Sequence, residues 1–443
     1  MSAARFDPAG PLRGELRPPP DKSISHRAAL IGAIGDGPTR ISGYLDSADT
    51  RSTLAAVAAC GAKVSEGDRD GAGGLFVEVE GVGVRGGARA AEIDVGNAGT
   101  LLRILPGWLA GQGEGEWTLD GDESIRLRPV DRIAAPLTAM GADVSCRDGR
   151  LPPLRVRGSA LRGIDYEPPV ASAQVKSCVL LAGLLAEGET TVREPIPTRD
   201  HTERMLAAAG AEIRRDEGAV TIAASDRLES GDYAVPGDFS SAAFFCAAAL
   251  LVEGSELALS EVGINRGRIG LLTILDRMGV EMSDSDRGGS GLAVREVREP
   301  GPEPVATLVA RPSPLRGAEI VAEDVPAAID ELPIVALLAC FADGETVVSG
   351  AAELRSKESD RIATVVDGLR GLGAEIEARP DGFAVNGAGR LRGGRLVAHR
   401  DHRLAMLGAV AGLASEEGVE VEGFDAVAVS YPAFERDLRS LLS

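Results

Sequence analysis

A sixfold internal repeat limits what this 443-residue chain can fold into. An apolar, small-residue helix of roughly four turns leads to an acidic-Gly pair, and a short β-rich run follows. The pairs are Asp36-Gly37, Glu114-Gly115, Glu187-Gly188, Glu253-Gly254, Asp343-Gly344 and Glu417-Gly418. Successive glycines lie 78, 73, 66, 90 and 74 residues apart. Glycine at these places is expected to supply the left-handed cap that ends a helix without a Cβ penalty. The runs after it, such as Thr190-Thr191-Val192 and Thr346-Val347-Val348, read as strands.

A second marker interleaves with the first, an amphipathic helix that ends in Gly and continues as a strand. Its copies are Cys60-Gly61-Ala62, Met140-Gly141-Ala142, Ala209-Gly210-Ala211, Met278-Gly279-Val280 and Leu372-Gly373-Ala374. The sixth copy ends with the helix around residues 434–442. Each unit therefore holds two helices among its strands and is too large for a solenoid repeat. The fold class is α/β.

Pro-rich breaks group the units. Arg17-Pro18-Pro19-Pro20 precedes the first and Val235-Pro236-Gly237 the fourth, both stiff non-helical crossings. Two domains of three units follow, residues 21–235 in one and residues 1–20 with 236–443 in the other. The run 12–17 is expected to supply the strand that the truncated sixth unit lacks.

The core has to be built from small side chains, since aromatics are 3% of the chain against 56 glycines. Four of the five cysteines (Cys60, Cys178, Cys246, Cys340) fall in Ala/Leu-rich stretches and read as buried thiols; Cys146 is the fifth, and no C-x-x-C pair exists. A net charge of −20 excludes a general nucleic-acid or anionic-membrane surface. No uncharged run reaches the ~18 residues of a membrane helix, and the N-terminus lacks the apolar stretch of a signal peptide. A cytoplasmic protein without disulfides is expected.

Anions must then be bound by a local cluster, and the helix starts provide candidates. They read Asp21-Lys22-Ser23-Ile24-Ser25-His26-Arg27, Gly96-Asn97-Ala98-Gly99-Thr100, Ala171-Ser172-Ala173-Gln174-Val175-Lys176, Gly237-Asp238-Phe239-Ser240-Ser241, Ile329-Asp330-Glu331 and Asp401-His402-Arg403. Buried helices with polar N-termini offer free N–H groups and partial positive charge. Ser, Asp and Asn there also serve as ordinary N-caps. Lys22 and Arg27 oppose the helix dipole, which favours an anion site. Polar runs at residues 120–129, 198–202 and 354–361 add Arg128, Arg199, Lys357, Glu358 and Arg361. One helical turn is expected to bring Lys357 and Arg361 to one face.

Two patterns mislead. Gly81-Val82-Gly83-Val84-Arg85-Gly86 fits G-x-G-x-x-G without a surrounding βαβ unit, so no dinucleotide site is read. His399 and His402 lack partners with metal spacing, so no metal site is read. No Walker loop is present.

The starts at residues 21–27, 96–100, 172–176, 329–331 and 401–403, with Lys357-Glu358-Ser359-Asp360-Arg361 between the last two, occur in an order that resembles the enolpyruvyl transferases of the EPSP synthase family. The resemblance spans about residues 12–440. It implies two similar globular domains, each of three βαβαββ repeats, with helix N-termini facing an interdomain cleft. It also implies a monomer without metal or organic cofactor that closes on two small-molecule substrates, phosphoenolpyruvate and 3-phosphoshikimate.

By position, the resemblance puts Lys22, Ser23, Arg27, Ser172, Ala173 (through its backbone), Gln174, Arg199, Asp330 and Lys357 on 3-phosphoshikimate. It puts Lys22, Gly99, Arg128, Gln174, Arg361 and Arg403 on phosphoenolpyruvate. Arg and Lys suit substrates that carry several negative charges. The implied reaction adds the acceptor hydroxyl to C2 of the enol while C3 gains a proton, then eliminates phosphate. Asp330 as base toward the hydroxyl, Glu358 at the C3 proton and Lys22 at the leaving phosphate fill the catalytic roles. The bare Gly99 implies room for the inhibitor glyphosate.

Departures from the family pattern are Val429 where many members have Lys, Glu353 where some have Asn, and Ala173 where others have a second Ser. The sister enzyme acting on UDP-N-acetylglucosamine is the alternative, but it typically has Lys-Asn in place of Lys22-Ser23 and a reactive loop cysteine. A non-catalytic anion binder of the same fold would gain nothing from Asp330 and Glu358.

Overall fold

The structure, a computed structural model, describes residues 2–71, 73–284 and 289–442. Internal contacts divide it into two compact units. One holds residues 20–235 with 300–303, and the other holds residues 1–19, 236–299 and 304–443.

Five of the six repeats share one plan, the fourth with one short extra strand, and the sixth carries a three-stranded sheet. In the second, Ala90–Asp94 leads into the helix Gly99–Ala110, then Glu116–Asp120, the helix Asp131–Ala139, and the hairpin Asp143–Arg147/Leu151–Arg157. The sheet order puts the first strand parallel to Glu116–Asp120, which is antiparallel to Leu151–Arg157. This is a βαβαββ unit with a mixed four-stranded sheet.

The inner helices are Lys22–Ile34, Gly99–Ala110, Ala173–Gly183, Phe239–Leu251, Leu332–Cys340 and His402–Ala414. They are buried nearly all round, as their continuous apolar sequence requires. Small residues let them approach closely: a Cβ on Gly107 would lie 2.1 Å from the Cys178 carbonyl oxygen of the next inner helix. Cys60, Cys178, Cys246 and Cys340 are buried and all five thiols are free.

Three details correct the sequence reading. The left-handed helix caps belong to the second marker. At Gly61 (φ +103°), Gly61 N–H donates to Ala58 and Ala62 N–H to Val57, a Schellman motif repeated at Gly141, Gly210, Gly279 and Gly373. The acidic-Gly pairs lie beyond the caps instead. Gly37 (φ +112°) turns the chain two residues after the extended cap Gly35, and in the second repeat Gly113 takes the positive φ while Gly115 leaves room for the Trp117 ring.

Second, the inner helices run 9–13 residues, all shorter than four turns, and the shortest is the fifth, where Pro333 sits in the first turn of Leu332–Cys340.

Third, the strand that completes the sixth sheet is Ala3–Phe6, antiparallel to Val419–Glu422. Phe6 is buried, its ring lies 5.0 Å from that of Phe424, and its carbonyl packs where a Cβ on Gly412 would intrude at 2.5 Å. Arg13–Leu16 instead joins the fourth sheet, parallel to Glu256–Gly263. The edge strand of the first sheet is Asp232–Ala234, parallel to Pro38–Tyr44. Each of these two edge strands thus directly precedes one inner helix in sequence and serves the sheet three repeats away.

Candidate functional site

In the unit of residues 20–235, cations gather at three inner-helix starts. Asp21 caps the first helix by accepting the Ile24 N–H at 2.9 Å, which leaves Lys22 and Arg27 to project from the first two turns. Lys22 Nζ pairs with Asp49 Oδ2 at 3.1 Å. Arg27, 3% exposed, donates to Thr202 Oγ1 at 2.8 Å, Ser177 Oγ at 3.0 Å and the Ser23 carbonyl at 2.9 Å. Burial, together with the like charge of Arg199, brings its guanidinium down to about 10. Such a cation gains stability from a bound anion.

The second inner helix has no side-chain cap at Ala98, and its first N–H, that of Gly99, donates to the Asn97 carbonyl at 2.9 Å. A Cβ there would sit 3.0 Å from Arg128 Nη1 and 3.1 Å from Arg103 Nη1. Arg128 is positioned by Asn97 Oδ1 at 2.8 Å, and Arg103 by Gln174 Oε1 at 3.1 Å. Gln174 in turn donates to Thr100 Oγ1 at 3.1 Å. Ser172 caps the third helix, accepting the Val175 N–H at 3.4 Å, and Ala173 is its first residue.

His26 and Lys176 of the same motifs do structural work. Burial, with Lys22 and Arg27, pushes His26 well below the usual imidazole range, and it meets Thr53 Oγ1 at 2.6 Å. Lys176, 1% exposed, lies 2.7 Å from both Glu194 and Glu203. The G-x-G-x-x-G run is a packing motif: a Cβ on Gly81 would lie 2.1 Å from the Gly35 carbonyl oxygen.

In the other unit, cations are matched by carboxylates. The fully buried Arg361 meets Asp401 Oδ2 at 2.8 Å, Glu358 Oε2 at 2.6 Å and Asp330 Oδ1 at 3.5 Å. These carboxylates outweigh burial and hold its charge firmly. Burial would raise Asp401, but Arg361 keeps it below the usual carboxylate range. Asp401 also caps the sixth inner helix through the Arg403 N–H at 3.0 Å.

Asp330 lies in the turn between Val325–Ala328 and Leu332–Cys340. Lys357 Nζ is 3.9 Å from Asp330 Oδ1, and Arg403 Nη1 donates to the Asp330 carbonyl at 2.9 Å. Burial lowers the Lys357 ammonium despite Asp330 and Glu353 nearby. Next to Asp330, Glu331 is 1% exposed and pushed up by burial, and it takes Arg268 Nη1 at 3.0 and 3.1 Å. Val429, where many members of the resembling family carry lysine, is half-buried at the end of the 3-10 turn Phe424–Val429.

The structure brings Lys357 and Arg361 together by another route than the one expected. The helix starts only at Arg361, capped by Asp360, and Lys357 is extended. Asp330, not a shared helical turn, collects them. Residues absent from the sequence-based set are Asp49, Arg103, Thr202, Ser177, Ser240, Arg268 and Asp401. Arg103, four residues after Gly99, and Asp401 and Ser240, inside quoted helix starts, carried a signal. Arg268, in an irregular loop, carried none. Among the described residues no group of three or more His, Cys, Asp or Glu could hold a metal ion.

A profile for EPSP synthase (3-phosphoshikimate 1-carboxyvinyltransferase) matches residues 6–438. Relatives called 3-phosphoshikimate 1-carboxyvinyltransferase include one from Alkalilimnicola ehrlichii, 48% identical over 96% of this chain and 93% of that protein. Another from Halorhodospira halophila is 48% identical over 99% and 95%. The solved EPSP synthase of Acinetobacter baumannii superposes with a TM-score of 0.85 at 38% identity, covering 100% of this chain and 98% of that one. An enolpyruvyl transferase from Streptomyces tendae shares the fold at a TM-score of 0.73 and 20% identity, over 99% of this chain and 96% of that one. Together with the six matching repeats, these likenesses show that the chain belongs to the EPSP synthase (3-phosphoshikimate 1-carboxyvinyltransferase) family.

Proposed function

We propose that this chain transfers the 1-carboxyvinyl group of phosphoenolpyruvate to the 5-hydroxyl of 3-phosphoshikimate, giving 5-enolpyruvylshikimate-3-phosphate and inorganic phosphate. The step belongs to the shikimate pathway, which leads to chorismate and the aromatic amino acids. The observation that carries this reading is the pair of carboxylates on one buried guanidinium: Asp330 and Glu358 both meet Arg361. An anion-binding cluster has no use for them, whereas an addition followed by an elimination needs two proton-transfer groups.

In the addition, the acceptor oxygen bonds to C2 of the enol. Its proton passes to Asp330, while a proton reaches C3 by way of Glu358. In the elimination, C3 returns that proton to Glu358 and the C2–O bond to phosphate breaks, with Lys22 beside the leaving group. Ser23, Arg27, Ser172, Ala173, Gln174, Arg199, Lys22, Asp330 and Lys357 would hold 3-phosphoshikimate. Lys22, Gly99, Arg128, Gln174, Arg361 and Arg403 would hold phosphoenolpyruvate. Arg103, lying 3.1 Å from a Cβ at Gly99, joins that set. No described helix is long and apolar enough to cross a membrane, and a cytoplasmic monomer is the proposed state.

The UDP-N-acetylglucosamine enzyme, with its reactive loop cysteine, is disfavoured by the thiols. Burial pushes Cys60, Cys246 and Cys340 up to about 12 and Cys178 higher still, and Cys146 lies within the strand Asp143–Arg147. The test is phosphate release from phosphoenolpyruvate by the purified protein, with each acceptor and with neither. Release that requires 3-phosphoshikimate is expected; release only with the nucleotide sugar would move the chain to the sister activity.

A further inference from the structure

Behind Arg403 lies a buried network that the reaction does not use directly. Arg268 sits in a loop closed by its own N–H donating to the Asn265 carbonyl at 2.8 Å and by Gly267 N–H donating to Asn265 Oδ1 at 3.0 Å. Its guanidinium, 4% exposed, reaches both oxygens of Glu331 and donates through Nη2 to Ser240 Oγ. Ser240, 3% exposed, lies in the first turn of Phe239–Leu251.

The Ser240 hydroxyl is fully used. It accepts from Arg268 Nη2 and from Arg403 Nη2, the latter at 3.0 Å, and donates to Glu331 Oε1. One proton and two lone pairs are all that a hydroxyl has. The other tether of Arg403, Nη1 to the Asp330 carbonyl at 2.9 Å, ends in the turn that Glu331 anchors. These two hydrogen bonds lead back to the Arg268–Glu331 pair, and the Arg403 guanidinium also lies 3.7 Å from Glu331 Oε1 and 3.9 Å from Asp330 Oδ2.

We infer that Arg268 and Ser240 are positioning residues that fix the Arg403 guanidinium and thereby set the affinity for phosphoenolpyruvate. The inference rests on the proposed placing of phosphoenolpyruvate at Arg403. Their side-chain hydrogen bonds run to each other, to Glu331 and to Arg403. A buried Arg–Glu pair is rarely more stabilising than apolar residues of the same volume, so its presence calls for a role other than stability. Holding a binding group within a fraction of an ångström of its working place is such a role.

The test compares wild type with Ser240→Ala, Arg268→Lys and the double variant in steady-state kinetics, with melting temperatures alongside. Ser240→Ala nearly keeps the volume and removes the charge-assisted hydrogen bond from Arg403 along with those to Arg268 and Glu331, so KM for phosphoenolpyruvate should rise about tenfold. Both kcat and KM for 3-phosphoshikimate should stay within about twofold, because the lost interaction serves one substrate. Arg268→Lys keeps the charge beside Glu331 but lacks the fork that reaches Ser240, so it should raise the same KM, and the double variant should fall short of the product of the two effects.

A folded Ser240→Ala enzyme with an unchanged KM for phosphoenolpyruvate would overturn the inference. So would a parallel rise in both KM values, the pattern of a general structural defect. Calorimetric titration of phosphoenolpyruvate into wild type and Ser240→Ala judges the tether apart from turnover, and equal affinities there would also overturn it. A wild type that binds phosphoenolpyruvate but releases no phosphate with 3-phosphoshikimate would instead sink the assigned reaction.

Discussion

The two clusters solve opposite electrostatic problems. Around Lys22, the guanidiniums of Arg27, Arg103 and Arg128 are oriented by neutral acceptors (hydroxyls, amides and backbone carbonyls), and Arg27 is further disfavoured by Arg199. The Arg27 guanidinium, brought down to about 10 by burial and Arg199, is stabilised by an anion placed beside it. Around Arg361 the opposite holds, because Asp330, Glu358 and Asp401 already match the cation. The first arrangement suits recognition of anions, and the second suits keeping carboxylates in place to move protons. A change in the first should appear mainly in affinity, and a change in the second mainly in turnover.

The largest expected effect falls on the carboxylate cluster. Asp330→Asn and Glu358→Gln should each lower kcat by about 10²–10⁴-fold, measured by phosphate release at saturating substrates. A loss confined to KM would erase the proposed distinction. Next comes Arg27→Gln, which should raise KM for 3-phosphoshikimate by roughly 10–100-fold with kcat little changed.

The pH profile sharpens the contrast. Burial lowers the Lys357 ammonium, so it loses its proton, and its hold on an anion, at a lower pH than an ordinary lysine. The alkaline fall of kcat/KM for 3-phosphoshikimate should therefore begin below about pH 10.4. Lys357→Arg should move that limb upward, because a guanidinium stays charged there. A limb unmoved by this substitution would assign it to another group.

The smallest effect is expected at Gly99→Ala. The added Cβ meets only guanidinium tips, at 3.0 and 3.1 Å, and these can give way. It should weaken inhibition by glyphosate more than it raises KM for phosphoenolpyruvate, on the order of tenfold for the inhibitor. Comparing dose–response curves with wild type is the check, and an equal loss for both ligands would mean that the glycine does not discriminate.

Much of the fold was legible because the repeat is written in glycine and alanine. Five Schellman turns recur at Gly61, Gly141, Gly210, Gly279 and Gly373, where the sequence shows the same helix-Gly-strand signature. Strand pairing at the edges was not legible. Nothing local to Arg13–Leu16 says that its partner begins at Glu256, since edge choice is made by long-range packing. At the site, residues that lie on helix starts could be picked out, because capping and charge conflict there in sequence. Arg268 could not, because its partners Ser240 and Glu331 are 28 and 63 residues away. The Lys357–Arg361 pairing was expected for the wrong reason, since i and i+4 spacing means adjacency only inside a helix.

The edge strands also bear on synthesis of the chain from its N-terminus. Ala3–Phe6 has no partner until Val419–Glu422 exists, and Arg13–Leu16 none until Glu256–Gly263 exists. Residues 20–235, by contrast, contain every strand of their own three sheets, the last being Asp232–Ala234. That half of the enzyme can close while still attached to the ribosome. The other half has to keep Ala3–Phe6 unpaired until residues 419–422 are made and Arg13–Leu16 until residues 256–259 are made, and such long loops close slowly.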